Sequence, residues 1–292
     1  RVVKNNVWTA TPDFPIGAGG ALAQNEDAVW WVNPVDATGY GVWRFDKASL
    51  RWSQVSDSFP EGDASAYDFQ GGAAVVYDDH IHYIADNVLF LFDVRTQTWS
   101  RSKTLPYGLR RERTPLVYDD KLWVKTPGMF WVYDPTTQEQ RYISELGDLA
   151  DGIAFEVNGR LVFGAGRNLY ADWRQPASWN RYFVAWDPVT EESEDYVLEL
   201  PELHFTQVLD LGETTIFLTN DGPNFVLDEA SGAVSELNVN PTLACIQPSS
   251  GERHGAWKGA ALAFDGVGLV VGGEFDTGLG VLQKRGAMLY FP

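Results

Sequence analysis

The stretch "VLFLFDVRTQTWSRSKTLP", residues 88–106, has the pattern of two β-strands joined by a short turn. An apolar run ends in the pair Phe92-Asp93, a polar turn follows, and Trp99 stands six residues after the aspartate. The Leu-Pro pair at 105–106 ends the second strand, because proline cannot donate to a strand ladder. A similar string occurs at 43–60, and its second half recurs at 8–15 as "WTATPDFP". The chain is therefore built from a repeated β unit.

The pair of an aromatic residue and an aspartate marks four of the units. Its aspartates stand at 46, 93, 134 and 187, and a weaker copy, Leu-Asp, has its aspartate at 228. Upstream of each pair lie an apolar run, a tight polar turn and a second apolar run, as in "AAVVYDDHIHYI" at 73–84. Asp-Asp, Asn-Gly and Asp-Gly pairs suit such hairpin turns because they tolerate positive φ. Four strands in a unit of about 40–50 residues are typical of a propeller blade.

These units resemble the Kelch-repeat family over essentially the whole chain, and the best match is "GGAAVVYDDHIHYIAD" at 71–86 with the strand pair that follows it. In the third to fifth units the spaced tryptophan is replaced by Gln140, Ser193 and Val234. The resemblance implies an all-β fold, a six-bladed Kelch-like β-propeller. We therefore interpret the aromatic-Asp pairs as structural, with the aspartate capping backbone N–H groups and the aromatic ring packing between blades.

The two ends of the chain complement one another. The segment at 8–15 has the fourth-strand string without three strands before it, and the C-terminal segment has three strands and then stops. We expect a single domain over 1–292 whose ring is closed by the N-terminal strand, which completes the last blade. The expected blades cover approximately 16–58, 60–105, 108–146, 148–199, 201–239 and 250–292 plus 1–15.

Composition excludes several classes of partner. The net charge of −18 disfavours nucleic acid, which is bound by neutralising phosphates, and anionic membranes. The single cysteine, Cys245, allows no intrachain disulfide. No cofactor motif occurs, and we predict none. We also predict no metal, because His80 and His82 on one strand face lack an evident third ligand. The compartment stays open: a soluble protein, in the cytoplasm or exported with a leader preceding Arg1.

Function is expected on the loops, because long loops on a rigid scaffold usually carry it. In Kelch-like propellers the loops from fourth to first strand and from second to third strand share one face. Arg110, Arg111 and Arg113 form the densest basic segment of this acidic chain. They are either a clamp for an anion or carboxylate, which guanidinium groups bind bidentately, or a solvated loop paired with nearby acidic residues.

Other candidates lie in the remaining long loops. Tyr170, Trp173, Trp179 and Arg181 belong to the longest insertion, where aromatic rings either stack on a ligand or pack the insertion onto the ring. His254 and the neighbouring Arg253 could perform acid–base chemistry, or the histidine could cap backbone carbonyls. The predicted ligand-binding set is completed by further loop residues, namely Tyr67, His204 and Trp257.

Two functions follow from this pattern. The first is a binding module that recognises an acidic or carboxylate-bearing protein, peptide or sugar ligand at the loop-rich face. The alternative is an enzyme, a lyase, epimerase or isomerase acting on a small or sugar-like substrate at the propeller mouth. In that case His254, Arg253 and Arg110 would be catalytic. Fold alone does not choose between them.

Overall fold

A computed structural model describes the chain except for residues 1–6, 12–19, 34–40, 60–71, 110–113, 127, 145–148, 151, 166, 169–182, 201–204, 220–223, 238–259, 272–273, 277–281, 285–287 and 292. The described residues form 28 β-strands and contain no helix. No helix long and apolar enough to cross a membrane is therefore found in this part of the chain. The fold is an all-β propeller.

Five blades are four-stranded antiparallel sheets, each formed by one continuous stretch of chain. The strands before blade 1 and in blades 1 to 3 are β1 (Val7–Ala10), β2 (Ala21–Gln24), β3 (Ala28–Asn33), β4 (Gly41–Asp46), β5 (Arg51–Ser56), β6 (Ala73–Tyr77), β7 (His80–Ala85), β8 (Val88–Asp93), β9 (Thr98–Thr104), β10 (Thr114–Tyr118), β11 (Lys121–Thr126), β12 (Met129–Asp134) and β13 (Glu139–Ser144). Blade 1 is β2 to β5, blade 2 is β6 to β9 and blade 3 is β10 to β13.

The second half of the chain continues this pattern. Its strands are β14 (Leu149–Ala150), β15 (Ile153–Val157), β16 (Arg160–Gly164), β17 (Arg167–Asn168), β18 (Phe183–Asp187), β19 (Glu192–Tyr196), β20 (Phe205–Asp210), β21 (Thr214–Thr219), β22 (Phe225–Asp228), β23 (Ala233–Glu236), β24 (Ala260–Phe264), β25 (Val267–Val271), β26 (Glu274–Asp276), β27 (Leu282–Lys284) and β28 (Met288–Phe291). Blade 4 is β15, β16, β18 and β19, and blade 5 is β20 to β23.

A further four-stranded sheet, here called the composite sheet, contains strands from both ends of the chain. Its order is β24, β25, β28 and β1. Strand β1 pairs antiparallel with β28, so that Trp8 lies opposite Tyr290 and Val7 opposite Phe291. The outer strand of this sheet therefore comes from the opposite end of the chain to the three strands it joins.

Four of the described hairpins between first and second strands have the turn geometry expected from the sequence. Asp78 and Asp79 have φ of 45° and 57°, and Asp119 and Asp120 have φ of 50° and 55°. The Asn-Gly pair of blade 4 and the Asp-Gly pair of the composite sheet also have positive φ at both residues. Positive φ at both central residues matches the right-handed twist of the strands that such turns join. The prediction of these turns is confirmed.

The recurring aspartate ends the third strand of each of the five blades and organises the next turn. The Asp93 carboxylate accepts hydrogen bonds from the backbone N–H groups of Arg95 and Thr96 at 2.8 and 2.9 Å. Asp187 accepts from Val189 and Thr190 at 2.8 and 3.1 Å. These bonds hold the pKa of both carboxyls below its ordinary value. The predicted capping role is therefore confirmed at these positions.

Hydrophobic clusters fill the spaces between neighbouring sheets. Ile84, Leu89 and Leu105 of blade 2 pack against Val124 and other residues of blade 3. Equivalent clusters join blades 1 and 2, blades 3 and 4, and blades 4 and 5. The composite sheet shares one cluster with blade 5 and another with blade 1. Burying one such large apolar side chain contributes roughly 1.5–3 kcal/mol, so the sheets are held together face to face.

A glycine before the first strand of blade 2 allows that packing. A Cβ atom at Gly72 would lie 2.1 Å from three atoms of the Tyr83 side chain. Tyr83 is fully buried, and its ring packs edge-on against Phe59. Because Gly72 has no side chain, the Tyr83 side chain can occupy the space beside it.

Candidate functional site

The connections between blades and the loops from second to third strand lie on one face, here called the loop face. Strand β14 belongs to the connection between blades 3 and 4, and β17 belongs to the loop between the second and third strands of blade 4. These two strands pair, with Leu149 opposite Asn168 and Ala150 opposite Arg167. The backbone itself therefore joins the two sets of loops in which the sequence predicts function.

The connection that leaves blade 2 is fixed at the loop face by backbone hydrogen bonds. The Leu105 N–H donates to the Asn87 carbonyl at 2.7 Å, and the Leu109 N–H donates to the Asp86 carbonyl at 2.5 Å. Both leucine side chains are buried in the cluster between blades 2 and 3. The chain is therefore anchored immediately before Arg110.

Gln140 provides a second anchor for the same connection. Its side-chain nitrogen donates to the Tyr107 carbonyl at 2.9 Å, and its side-chain oxygen accepts from the Tyr107 N–H at 2.8 Å. One primary amide thus satisfies both backbone groups of a single residue across the boundary between two blades. Gln140 stands where the repeat of blade 2 has its spaced tryptophan.

The spaced tryptophans make the corresponding contact elsewhere. Trp99 Nε1, on the outer strand of blade 2, donates to the Ser58 carbonyl just after the outer strand of blade 1 at 2.9 Å. Trp52 Nε1, on the outer strand of blade 1, donates to Thr11 Oγ1 just after β1 at 3.1 Å. In blades 1 to 3 an N–H donor on the side chain at this position therefore holds the segment that follows the preceding outer strand. This role explains why a tryptophan or a glutamine is found there.

Lys125 is a buried lysine on β11 of blade 3, and sequence reasoning missed it. Its side chain is 6% exposed, and it lies in register with Thr114 on one side and Phe130 on the other. Directly opposed residues share one face of a sheet. Thr114 Oγ1 donates to the Gly152 carbonyl at 3.2 Å, and Phe130 packs on Trp186, so this face is directed towards blade 4. The signal in the sequence is a lysine at an inward position of the strand "KLWVKT".

The ligand-binding and catalytic residues predicted from the sequence all lie outside the described residues. They are Tyr67, Arg110, Arg111, Arg113, Trp173, Trp179, Arg181, His204, Arg253, His254 and Trp257. The described chain flanks Arg110, Arg111 and Arg113 closely, because Leu109 precedes them and Thr114 follows them. Both of these flanking residues are buried.

His80 and His82 lie on one face of β7, as predicted, but their environments differ. His80 Nδ1 is 2.7 Å from the Asp78 carbonyl oxygen at the hairpin turn. His82 is buried between blades 2 and 3, where its Nδ1 is 2.7 Å from the Tyr133 hydroxyl. Within the part of the chain that the structure describes, no group of three His, Cys, Asp or Glu side chains has the arrangement of a metal site.

Carboxylates approach one another between blades 4 and 5. Burial raises the pKa of Asp210, and the neighbouring Glu156 adds to the shift. Burial also raises the pKa of Glu229, and Asp210 contributes further, although a 2.8 Å hydrogen bond from Thr215 Oγ1 opposes the change. These groups disfavour one another's ionisation because like charges repel.

Comparison with solved structures supports the architecture. The chain is similar to the protein in "Structure of YjhT", with a TM-score of 0.64 and 13% sequence identity. The superposition covers 96% of this chain and 94% of that one. At this identity the likeness establishes the propeller fold alone. No protein-family model matches the chain, and no curated protein matches it, so the Kelch resemblance rests on the repeat residues themselves.

Proposed function

We propose that the chain is a propeller binding module whose loop face recognises an acidic or carboxylate-bearing protein, peptide or sugar. The observation that carries this proposal is the double anchoring of residues 105–109, which directly precede Arg110, Arg111 and Arg113 in the sequence. Gln140 and the buried Leu109 hold the chain before the arginines. An ordered flank reduces the conformational entropy that an adjoining binding segment loses on association.

The charge pattern of the sequence favours the same ligand class. Three arginines within four residues form the densest basic segment in a chain of net charge −18. Guanidinium groups bind carboxylates with paired hydrogen bonds, and surrounding negative charge rejects anions that do not reach the clamp.

We also propose that the composite sheet is the sixth blade and that it closes the ring. Trp52 donates to Thr11, the residue after β1, much as Trp99 donates to Ser58, two residues after β5. The same kind of hydrogen bond therefore joins the composite sheet to blade 1 and blade 1 to blade 2. A closed ring would give the loop face a fixed circumference, which a binding surface of several loops requires.

A thermal-shift comparison tests the binding proposal. Galacturonate and an Asp/Glu-rich peptide are compared with galactose and the corresponding Asn/Gln peptide. A ligand at 100 times its Kd stabilises the folded state by about 2.7 kcal/mol. We expect an acidic probe to raise Tm, its neutral counterpart to leave Tm unchanged, and R110A/R113A to abolish the shift.

The control is R101A/K103A, which removes the same charge from the outer strand of blade 2. Arg101 is exposed on β9 and lies outside the anchored segment. This variant should retain the shift. Equal shifts in both double variants, or equal shifts with acidic and neutral probes, would contradict an arginine clamp. If the acidic probe is chemically converted, as proton NMR of the incubated sugar would reveal, the enzyme alternative replaces the binding module.

A further inference from the structure

The boundary between blades 2 and 3, here called the 2–3 seam, contains a buried polar pair within an apolar cluster. His82 of β7 is 4% exposed and Tyr133 of β12 is fully buried. The two side chains share a hydrogen bond of 2.7 Å between Nδ1 and the hydroxyl. Around them lie aliphatic side chains of both blades, including Val75, Leu91 and Leu122.

Few charged groups face this histidine. On its own strand is His80, with ring centroids 6.5 Å apart, and on β6 is Tyr77, at 6.4 Å. On β8 its cross-strand partner is Leu91, while Asp93 lies opposite His80 instead. On β12 the ionisable groups are Tyr133 itself and the next residue, Asp134. Among the described residues no carboxylate bonds to His82, so no described acid would neutralise an imidazolium there.

The same seam anchors the segment that precedes the arginines. Leu105 and Leu109 belong to the same cluster as Tyr133 and the aliphatic residues beside His82. A change that separates blades 2 and 3 at this cluster therefore removes packing that holds Leu105 and Leu109, whose N–H groups bond to Asn87 and Asp86 of blade 2. The histidine is thus coupled by packing to the loop face.

We propose that the 2–3 seam is an acid-sensitive joint, in which protonation of His82 disfavours the packed seam and releases the segment 105–109. A charged imidazolium buried among aliphatic side chains costs free energy that an opened, hydrated seam does not. The joint is therefore closed at neutral pH and opens more often as the pH falls. It is a property of the fold beyond ligand binding.

The direction and size of the effect follow from proton linkage. Burial, with a smaller contribution from His80, lowers the pKa of His82 from 6.5 to about 4. The packed seam thus has its full stability above pH 6.5 and loses stability as the pH falls from 6.5 towards 4. With an ordinary pKa in the opened state, the fraction of open seams should rise about 30-fold between pH 8 and pH 5.

Hydrogen exchange measured by mass spectrometry on the intact protein tests the joint. Exchange at 105–109 and 80–93 is compared at pH 8 and pH 5 after correction for intrinsic rates. The reference is 153–164 in blade 4, which contains no histidine. We expect protection at the seam to fall about 30-fold relative to the reference. Unchanged relative protection would overturn the proposal.

The variant His82→Gln keeps an amide that can bond to Tyr133 but does not titrate in this range. It should lose the extra pH dependence at the seam, whereas the control His80→Gln should keep most of it. Retention of the full dependence in His82→Gln would also overturn the proposal. If His82→Gln does not fold, an NMR titration of the wild-type ring decides, and a His82 pKa near 6.5 would refute the joint.

Discussion

Replacing Gly72 by alanine tests the packing that positions the loop face of blade 2. The added methyl carbon would lie 2.1 Å from three atoms of the Tyr83 side chain. That distance is more than 1 Å shorter than an ordinary carbon–carbon contact of about 3.5 Å. Tyr83 cannot turn away freely, because it is fully buried and Phe59 and Trp99 pack against its ring.

The expected cost is at the upper end of the range for overpacking a core, about 3 kcal/mol. Unfolding entropy of about 2.1 cal/mol/K per residue over 292 residues amounts to about 0.6 kcal/mol/K. Gly72→Ala should therefore lower Tm by about 5 °C in a calorimetric scan, with a matching fall in the urea midpoint.

The matched control is Gly212→Ala. Gly212 has a φ of +89°, which alanine adopts with strain, but its Cβ would meet nothing within 4 Å. This variant should cost only about 1 kcal/mol. The double variant Gly72→Ala/Tyr83→Leu should recover part of the loss, because the shorter side chain leaves room for the methyl group. If Gly72→Ala proves no less stable than Gly212→Ala, the steric argument is wrong.

Three further outcomes are expected. Gln97 has a φ of 58° where blade 5 has Gly232 at 70°, so Gln97→Gly should raise, and Gly232→Gln lower, the free energy of unfolding in urea by about 0.5–1 kcal/mol. Gln140→Ala should lower the free energy of unfolding in urea by about 1–3 kcal/mol. Gln140→Glu can still accept from the Tyr107 N–H but no longer donates, so it should lower the free energy of unfolding by less. Equal losses in the two variants would exclude the pair of hydrogen bonds. The pKa of Asp187 is lowered mainly by hydrogen bonds from the backbone of Thr190 and Val189. The stability that these bonds give the folded state is present above pH 3.8 and is lost as the pH falls through the lowered value. Asp187→Asn should therefore flatten this acid limb of a curve of Tm against pH.

The fold could be predicted in some detail because its signals are local. Turn pairs such as Asp78-Asp79 and the capping aspartates such as Asp93 act on residues within three positions of themselves. Their chemistry is therefore visible in a short window of sequence. The same local signal recurs in successive blades, which makes the repeat recognisable.

The contacts that matter at the loop face could not be read in the same way. Gln140 bonds to Tyr107, 33 residues earlier, and His82 bonds to Tyr133, 51 residues later. Such pairs depend on how one blade packs on the next, which the repeat pattern does not specify. The two histidines looked equivalent by alternation, yet one lies at a hairpin turn and the other within a core. The predicted clamp residues lie outside the described chain and remain predictions.

The pairing of β1 with β28 also determines how the chain could be circularly permuted. With Val7 opposite Phe291, a short engineered bridge between the two strands would run antiparallel, like an ordinary hairpin loop. New termini could then be opened between β5 and β6 without removing any strand from its sheet. Such a circular permutant would keep the strand pairing of every sheet, because the composite sheet depends on interstrand pairing rather than on the order in which its strands are synthesised.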